Sequence, residues 1–356
     1  MRCKRCVMDD TTPGIVFYAD GTCNYCRQHD ELAKMYPVGG FDPSHLPRDV
    51  VVGVSGGMDS SLLLHLAVEE WDLSPIAVTY DNGWASDTAK CNLDVVTSVL
   101  DVPLVTVHAD TNDVFRAFME AGLPEIEAAT DSAFMAALYS VAAAKGIKHI
   151  MIGSSFRTEG ITPHGMFYFD AKYVDNVYKS RAGPTAYPGD MLWLRPWLKW
   201  IVCDRIKRLN PLYYVDYDVY KTRDMLFDEY GWNWYDGHHR DNVFTEFCDN
   251  YWLPVKFGID LRKVEYSALV RSHQMERDEA LAKLEVPPSI GANTIDIVCS
   301  KLGITRNHLD SLITAIPGSR DDYATYKPTF KRMKPFFWLA AKMGLVPMSF
   351  YLKYCC

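Results

Sequence analysis

A short run of small and acidic residues, Ser55-Gly56-Gly57-Met58-Asp59-Ser60, stands where an apolar run changes into a helix-like pattern. Glycine lets a turn adopt positive φ and approach a ligand closely. The N–H groups of such a turn and of the helix that follows point at an anion, and the helix dipole adds to the attraction. The hydroxyls of Ser55, Ser60 and Ser61 would add donors, while the carboxylate of Asp59 would hold Mg²⁺ between phosphate oxygens. This phosphate loop (residues 55–60) therefore predicts a site for a phosphate-bearing ligand.

The Walker pattern, a glycine followed by Lys and Ser or Thr, is absent from the phosphate loop. Its absence argues against a P-loop kinase or GTPase. The alternative interpretation is a glycine-rich turn without a ligand. Ser55, Asp59 and Ser60 occur together directly after a predicted buried strand, which favours a ligand and an active enzyme over an inactive binding module.

Four of the ten cysteines form two Cys-x-x-Cys pairs near the N-terminus, Cys3 with Cys6 and Cys23 with Cys26. This is ligand spacing for tetrahedral Zn²⁺, because each pair places two thiolates on one tight turn. Four thiolates fill the coordination shell, so we expect a structural site. Chance clustering or a redox role is the alternative. No secretory signal is visible, so we expect a cytoplasmic protein with reduced thiols.

The elements that must position these residues follow from the apolar pattern. Residues 50–54 are all valine except Gly53, which is typical of a strand buried on both faces. The same reasoning predicts helices at residues 58–70 and 131–145, and further strands at residues 76–80, 104–107 and 149–152. Strands and helices that alternate in this way predict an α/β fold with a parallel sheet and right-handed crossovers.

Length and charge limit the remaining choices. A chain of 356 residues predicts about two domains, and a formal net charge of −8 argues against a broad nucleic-acid surface. The most apolar stretch, residues 335–352, is interrupted by Lys342 and Pro347 and is too short for a membrane span of roughly 20 residues. We expect a zinc-binding module with a linker (residues 1–47), a domain that carries the phosphate loop (48–186), and a mostly helical, aromatic-rich substrate domain (187–356).

The phosphate loop resembles that of the PP-loop ATP pyrophosphatases, which include GMP, NAD and asparagine synthetases and tRNA thiolases. The resemblance implies a doubly wound parallel sheet with ATP at the carboxyl ends of the strands, as in such sheets generally. It also implies cleavage between the α and β phosphates, adenylylation of a substrate oxygen and later displacement of AMP. On that fold, Tyr80-Asp81-Asn82-Gly83-Trp84 would contact adenosine. Gly153 and Ser154 would face the same crevice, unless they form an ordinary strand-ending turn.

Longer strings resemble the N-acetyl sugar amidotransferases of lipopolysaccharide and flagellin-glycan biosynthesis. The matching strings are residues 2–9, the phosphate loop, and residues 80–84, 195–200, 231–235 and 244–258. The resemblance implies that ATP adenylylates the acetamido oxygen of a nucleotide-linked N-acetyl sugar, and that ammonia then displaces AMP to leave an acetamidine. The ammonia would come from a separate glutaminase subunit.

A tRNA-thiolating enzyme is the alternative within the same superfamily. Many thiolases carry catalytic or cluster-binding cysteines in the ATP domain, whereas the helix predicted at residues 131–145 has none. Their substrate also favours a basic surface, and this chain is acidic.

Several residues outside the phosphate loop are candidates for the chemistry. His239 stands where the resembling family has a histidine, and His238 replaces the lysine before it; the pair could relay a proton from the attacking ammonia or form part of a solvated loop. Arg195, Lys199 and Lys256 could grip the substrate diphosphate or be ordinary surface charges. The remaining candidates are the substrate contact Trp84 and the catalytic pair Asp170 and Lys172, which is chosen by position alone.

Overall fold

The computed structural model describes residues 1–235, 237, 240–346 and 348–355. Its centre is one parallel sheet, made of β1 (Asp49–Gly53), β2 (Ser74–Asp81), β3 (Leu104–His108), β4 (His149–Ile152) and β5 (Lys207–Leu209). The strands lie in the order β3-β2-β1-β4-β5. Val51 is aligned with Ile76 of β2 on one side and with Ile150 of β4 on the other, so β1 is the central strand.

Helices cover the sheet and form most of the chain after β5. They are α1 (Asn24–Met35), α2 (Met58–His65), α3 (Asp87–Val99), α4 (Asn112–Glu120), α5 (Ala128–Lys145), α6 (Ala171–Ala182), α7 (Leu194–Val202), α8 (Val219–Tyr230), α9 (Val243–Phe247), α10 (Arg262–Arg271), α11 (Arg277–Glu285), α12 (Thr294–Leu302), α13 (Arg306–Thr314), α14 (Lys327–Arg332), α15 (Lys334–Lys342) and α16 (Met348–Tyr354). Wider π-helical turns continue α2 over Leu66–Glu70 and α9 over Cys248–Phe257. Within the described residues, every helix is too short or too polar to cross a membrane.

The two faces of the sheet carry different sets of helices. Side chains alternate along a strand, so Val50 and Val52 pack with α2, α3 and α8, whereas Val51 packs with α4 to α7. The helices that connect β1 to β2 and β2 to β3 lie on one face of the sheet, and those that connect β3 to β4 and β4 to β5 lie on the other. The direction of winding therefore reverses between β1 and β4. This reversal opens a crevice at the carboxyl ends of the two strands, which is where ligands bind in such sheets. The predicted fold class, a doubly wound α/β sheet with a cysteine cluster and a helical C-terminal region, is confirmed.

The elements predicted from apolar runs are present, and one strand was missed. The helix predicted at residues 131–145 begins three residues earlier, at Ala128, and ends where Gly146 takes the left-handed conformation. β5 was not predicted, because Lys207, Arg208 and Leu209 offer one apolar residue and no buried-strand pattern. β5 lies beyond the domain boundary expected at residue 187, and that boundary stays a prediction.

The N-terminal module (residues 1–47) packs against two distant parts of the chain. Its buried cysteines share an apolar cluster with Phe156 and Ile161, which follow β4, and with Val264 of α10. The side chain of Arg277 donates to the carbonyl oxygens of Cys3 and Cys6 at 2.9 and 3.2 Å. The module therefore joins the segment after β4 to the helices that begin with α10.

Candidate active site

The phosphate loop is held by hydrogen bonds among its own residues. The hydroxyl of Ser60 donates to the carbonyl oxygen of Gly57 at 3.1 Å and accepts from the backbone N–H of Ser55 at 3.2 Å. The hydroxyl of Ser55 accepts from the N–H of Gly57 at 3.2 Å. Gly57 is the N-cap of α2, so the loop leads directly into a helix N-terminus. The backbone is thus fixed in advance in the arrangement that favours an anion.

Two glycines are required here by close approach of the backbone. Gly56 has φ +82°, and a Cβ there would lie 2.1 Å from the carbonyl oxygen of Ala89. A Cβ on Gly153 would lie 2.7 Å from the carbonyl oxygen of Asp59. Gly153 therefore lets the end of β4 lie directly against the first turn of α2, which brings the two strand ends to one crevice.

Aromatic residues that follow α8 cover the phosphate loop. The indole Nε1 of Trp232 donates to the carbonyl oxygen of Gly56 at 3.1 Å, across 176 residues of sequence. The N–H of Met58 donates to the hydroxyl of Tyr235 at 3.4 Å. Residues 231–235 were linked to function only through a resemblance, because no local pattern predicts so distant a contact.

The carboxylate of Asp59 is oriented by a buried tyrosine that sequence analysis missed. The hydroxyl of Tyr217 donates to Asp59 Oδ1 and lies 2.9 Å from Thr158 Oγ1. Burial, and then the charge of Asp59, raises the pKa of Tyr217 well above its usual value, so Tyr217 stays a neutral donor. An oriented carboxylate beside a phosphate loop fits a ligand for Mg²⁺.

Two cavities meet at the phosphate loop. The first, here called the phosphate crevice, has a volume of about 170 Å³ and is lined by the predicted residues Ser55, Gly57, Asp59, Ser60, Gly153 and Ser154. The second, here called the acidic cavity, has a volume of about 570 Å³ and is lined by the predicted residues Tyr80 and Asp81. Val54, Ser55, Phe134 and Asp241 line both. Gly56 and Ser61, which were also predicted to bind phosphate, are buried beneath this surface.

The acidic cavity is lined by Asp81 and by five further carboxylates that were not predicted as ligands: Asp94, Glu127, Asp131, Asp241 and Asp249. The hydroxyl of Thr245 donates to Glu127 at 2.7 Å. Desolvation, and then the charge of Asp249, raises the pKa of Glu127 well above its usual value. A carboxylate whose pKa is raised is a stronger base than an ordinary one and can accept a proton from a nucleophile. The only sequence signal was the position of Glu127 just before an Ala-rich helix.

The cations predicted to grip a diphosphate lie elsewhere. Arg195 and Lys199 are exposed on α7, and Lys199 pairs with Asp204 at 3.6 Å. The ammonium of Lys256 donates to the carbonyl oxygens of Leu312 and Ala315, each at 2.6 Å. Lys256 therefore caps the C-terminal end of α13, where a cation is favoured by the helix dipole.

Three further predicted residues, Trp84, Asp170 and Lys172, lie outside the phosphate crevice and the acidic cavity. Trp84 is 1% exposed and packs in the core against the stacked rings of Phe115 and Phe244, so its ring is not presented to a substrate. Asp170 is the N-cap of α6 and accepts hydrogen bonds from the N–H of Tyr173 and the hydroxyl of Tyr168. Lys172 lies in the first turn of α6, 6.0 Å from the ring centroid of Tyr326. Neither Asp170 nor Lys172 lines the phosphate crevice or the acidic cavity. His238 and His239 lie outside the described residues.

The four N-terminal cysteines form one buried cluster. Their Sγ atoms are 3.7 Å apart for Cys3 and Cys26 and for Cys23 and Cys26, and 3.8 Å apart for Cys6 and Cys23. A tetrahedron with Zn–S bonds of about 2.3 Å has edges of about 3.8 Å. The guanidinium of Arg271 donates to Cys6 Sγ at 3.2 Å and to Cys26 Sγ at 3.4 Å, which offsets thiolate charge. The cysteine cluster fits a tetrahedral metal ion such as Zn²⁺.

Comparison with known proteins gives one match in sequence. Residues 241–336 match the family model for the C-terminal domain of LPS biosynthesis proteins of the WbpG-like kind. The matched segment supplies Asp241, Thr245 and Asp249 to the wall of the acidic cavity. No curated protein is significantly similar to the chain.

Solved structures give weaker similarities. U34-tRNA thiolase NcsA from Methanococcus maripaludis, with its 4Fe-4S cluster, is 11% identical over 92% of both chains, with a TM-score of 0.35. An NH3-dependent NAD synthetase from Campylobacter jejuni is 14% identical over 83% of this chain and 95% of its own, with a TM-score of 0.31. A predicted subunit of a tRNA methyltransferase from Methanocaldococcus jannaschii is 16% identical over 50% of this chain and 73% of its own, with a TM-score of 0.28. Similarities of this size do not distinguish between functions.

Proposed function

We propose that this chain is an ATP-dependent amidotransferase that converts the acetamido group of a nucleotide-linked N-acetyl sugar into an acetamidine. One observation carries the proposal. The phosphate loop opens onto a cavity whose facing wall, with Asp241 and Asp249, belongs to the segment that matches the LPS biosynthesis family. A pyrophosphate-binding loop and a proton-accepting wall are the two parts that such a reaction needs.

The phosphate loop serves the first step. Ser55, Ser60 and the N-terminus of α2 would hold the β and γ phosphates of ATP, and Asp59 would hold a Mg²⁺ ion that offsets their charge. The acetamido oxygen attacks the α phosphorus, and the bond to the β phosphate breaks. Pyrophosphate leaves with the electron pair, and the sugar carries an adenylyl group on its former acetamido oxygen.

The acidic cavity serves the second step. Ammonia attacks the activated carbon, the carbon–oxygen bond breaks, and AMP leaves with the oxygen. Glu127, whose pKa is raised by desolvation, accepts the proton that the new nitrogen loses. Burial raises the pKa of the nearby Cys248 thiol, which is the opposite of an activated nucleophile for glutamine hydrolysis. A separate glutaminase subunit is therefore the source of ammonia. Zn²⁺ in the cysteine cluster would have a structural role.

The test is an assay of the purified chain with ATP, Mg²⁺, ammonium chloride and a panel of nucleotide-linked N-acetyl sugars. We expect AMP and pyrophosphate only with one class of sugar, together with the mass change that results when NH replaces oxygen. Asp59→Asn, which removes the proposed Mg²⁺ ligand, should abolish this release. AMP release that depends on tRNA would instead identify a thiolating enzyme, and no AMP release with any acceptor would contradict the proposal.

A further inference from the structure

A third cavity, of about 250 Å³, lies beside the acidic cavity and is here called the aromatic pocket. Asp131 lines both, so the two are neighbours at the N-terminal end of α5. The walls of the aromatic pocket include rings from three helices that follow β4 in sequence: Trp197 of α7, Phe330 of α14 and Tyr354 of α16. Aromatic walls of this kind bind the flat apolar faces of sugars and bases.

One cation faces the aromatic pocket. Arg208 lies in β5, and its neighbour Leu209 packs on the sheet face that carries α2. Because side chains alternate along a strand, Arg208 points to the opposite face, where it lines the pocket. Its Nε is buried and has no hydrogen-bond partner among the described residues. An unsatisfied guanidinium N–H is unfavourable, and an anionic ligand in the pocket would supply the missing acceptor.

Of the two acids that line the aromatic pocket, Asp170 already has its partners within the fold. Its carboxylate already accepts from the hydroxyl of Tyr168 at 2.5 Å and from the N–H groups of Tyr173 and Tyr326 at 2.8 and 2.7 Å. These three donors occupy most of its acceptor sites, and Arg208 Nε is left without an acceptor among the described residues.

The dimensions of the pocket limit its occupant. Asp131 and Tyr139 both line it and are eight residues apart on α5, which corresponds to about 12 Å along the helix axis. Its volume is below the roughly 300–1,000 Å³ of pockets that enclose whole drug-sized ligands. The pocket therefore takes one ring with an adjoining anionic group, and the rest of a nucleotide-linked substrate stays outside.

We infer that the aromatic pocket binds the acceptor sugar, with Arg208 on the phosphate attached to the sugar and the acetamido group at the Asp131 end, towards the acidic cavity. The inference rests on the proposed function and adds the acceptor site to it. It assigns the diphosphate contact to Arg208 instead of Arg195, Lys199 and Lys256.

The test is calorimetric titration of the full-length chain with N-acetylglucosamine 1-phosphate, with neutral N-acetylglucosamine, with UDP-N-acetylglucosamine and, separately, with ATP. Arg208→Gln should weaken binding of both phosphorylated sugars by at least about tenfold, while neutral sugar and ATP bind as before. Arg208→Lys keeps the charge and should recover part of the affinity. Arg181→Gln removes an exposed cation at the end of α6 and is the matched control, with no change expected.

A second variant keeps the test valid if Arg208→Gln is unstable. Met135→Trp fills the aromatic pocket and should abolish sugar binding while ATP binding persists. Unchanged binding of the phosphorylated sugars in both variants, or no binding by the wild-type chain, overturns the inference. If AMP release depends on sugar but is unaffected in Arg208→Gln, the proposed function stands and the pocket assignment falls. If sugar binding depends on Arg208 but no AMP forms, the assignment stands and the proposed function falls.

Discussion

The hydroxyl of Tyr217 is the donor that orients Asp59 beside the phosphate loop. Tyr217→Phe removes this donor and keeps the ring, so the carboxylate loses its fixed direction. Changes to such supporting groups typically weaken metal binding about 10- to 100-fold. We therefore expect Tyr217→Phe to raise the Mg²⁺ concentration needed for ATP binding by about tenfold, measured by titrating ATP at several Mg²⁺ concentrations.

The control for Tyr217→Phe is Tyr220→Phe, because Tyr220 is exposed on α8. It should leave the Mg²⁺ dependence unchanged. An unchanged Mg²⁺ dependence in Tyr217→Phe would show that the hydroxyl does not orient Asp59 and that Tyr217 acts only through its ring.

Glu127 makes stability depend on pH. Its pKa is raised in the folded chain by desolvation, above the ordinary value of about 4.3. Between these two pKa values the folded state binds more protons than the unfolded state, so the free energy of unfolding falls as pH rises. Glu127→Gln removes this dependence and keeps an acceptor for the hydroxyl of Thr245.

We expect Glu127→Gln to be more stable than the wild-type chain at neutral pH by on the order of 1 kcal/mol. The difference should vanish near pH 4, where both states hold the proton in the wild-type chain. Urea unfolding across this range measures it, with Glu120→Gln at the exposed end of α4 as the control. Lower stability of Glu127→Gln at neutral pH would contradict the prediction.

At the scale of single elements, Lys256 acts as a cap for α13. Its ammonium donates to three carbonyl oxygens at the end of that helix, those of Leu312, Ile313 and Ala315. Lys256→Met keeps the apolar stem and removes the cation, so these carbonyls lose their donor. We expect a loss of about 1–2 kcal/mol in the free energy of unfolding and no change in sugar affinity, measured by urea unfolding and calorimetry.

Lys331→Met is the control for the capping prediction, because Lys331 is exposed on α14. The substrate role expected from sequence makes the opposite prediction. If Lys256→Met weakened sugar binding and left stability unchanged, the diphosphate contact would belong to Lys256 after all.

Sequence predicted the elements whose signal is local. The valines of β1 and the Ala-rich run of α5 indicate buried elements, because an element that is buried on both faces needs apolar residues at nearly every position. The phosphate loop could also be predicted from sequence, because its geometry depends on a few consecutive residues. β5 could not be predicted, because a short edge strand is stabilised by pairing with its neighbour β4 and has no apolar pattern of its own.

The rest of the candidate site depends on contacts that cross the chain. Trp232 and Tyr217 reach the phosphate loop from more than a hundred residues away, and Lys256 finds its partners in another helix. A basic side chain in a sequence has the same chemistry whether it binds a phosphate or caps a helix. Only the folded structure distinguishes these two roles. Trp84 and Lys256 were expected to contact the substrate, whereas Trp84 is buried in the core and Lys256 caps a helix.

At the scale of the whole molecule, the cysteine cluster is connected to the phosphate crevice. The N-terminal module packs on Phe156 and Ile161, which follow Gly153 and Ser154 in the crevice. The guanidinium of Arg157 in the same segment donates to the carbonyl oxygen of Tyr36 at 2.9 Å. Loss of the metal should therefore disturb ATP binding as well as the module itself.

We expect Cys23→Ser to lower the metal content, the melting temperature and the affinity for ATP together. Metal analysis, thermal unfolding and ATP titration measure the three effects. Cys91→Ser is the matched control, because Cys91 is an exposed cysteine on α3. Normal ATP affinity in a metal-free but folded Cys23→Ser chain would show that the module does not support the crevice.

The cover that Trp232 places over the phosphate loop also sets an order of events during synthesis. The carbonyl of Gly56 and the indole that binds it are 176 residues apart. A ribosome that adds about 5–20 residues per second needs roughly 10–35 seconds to make the second after the first. Through that interval the nascent chain carries a phosphate loop without its cover. We expect chains arrested on the ribosome before Trp232 to retain no ATP, and chains released at full length to retain it.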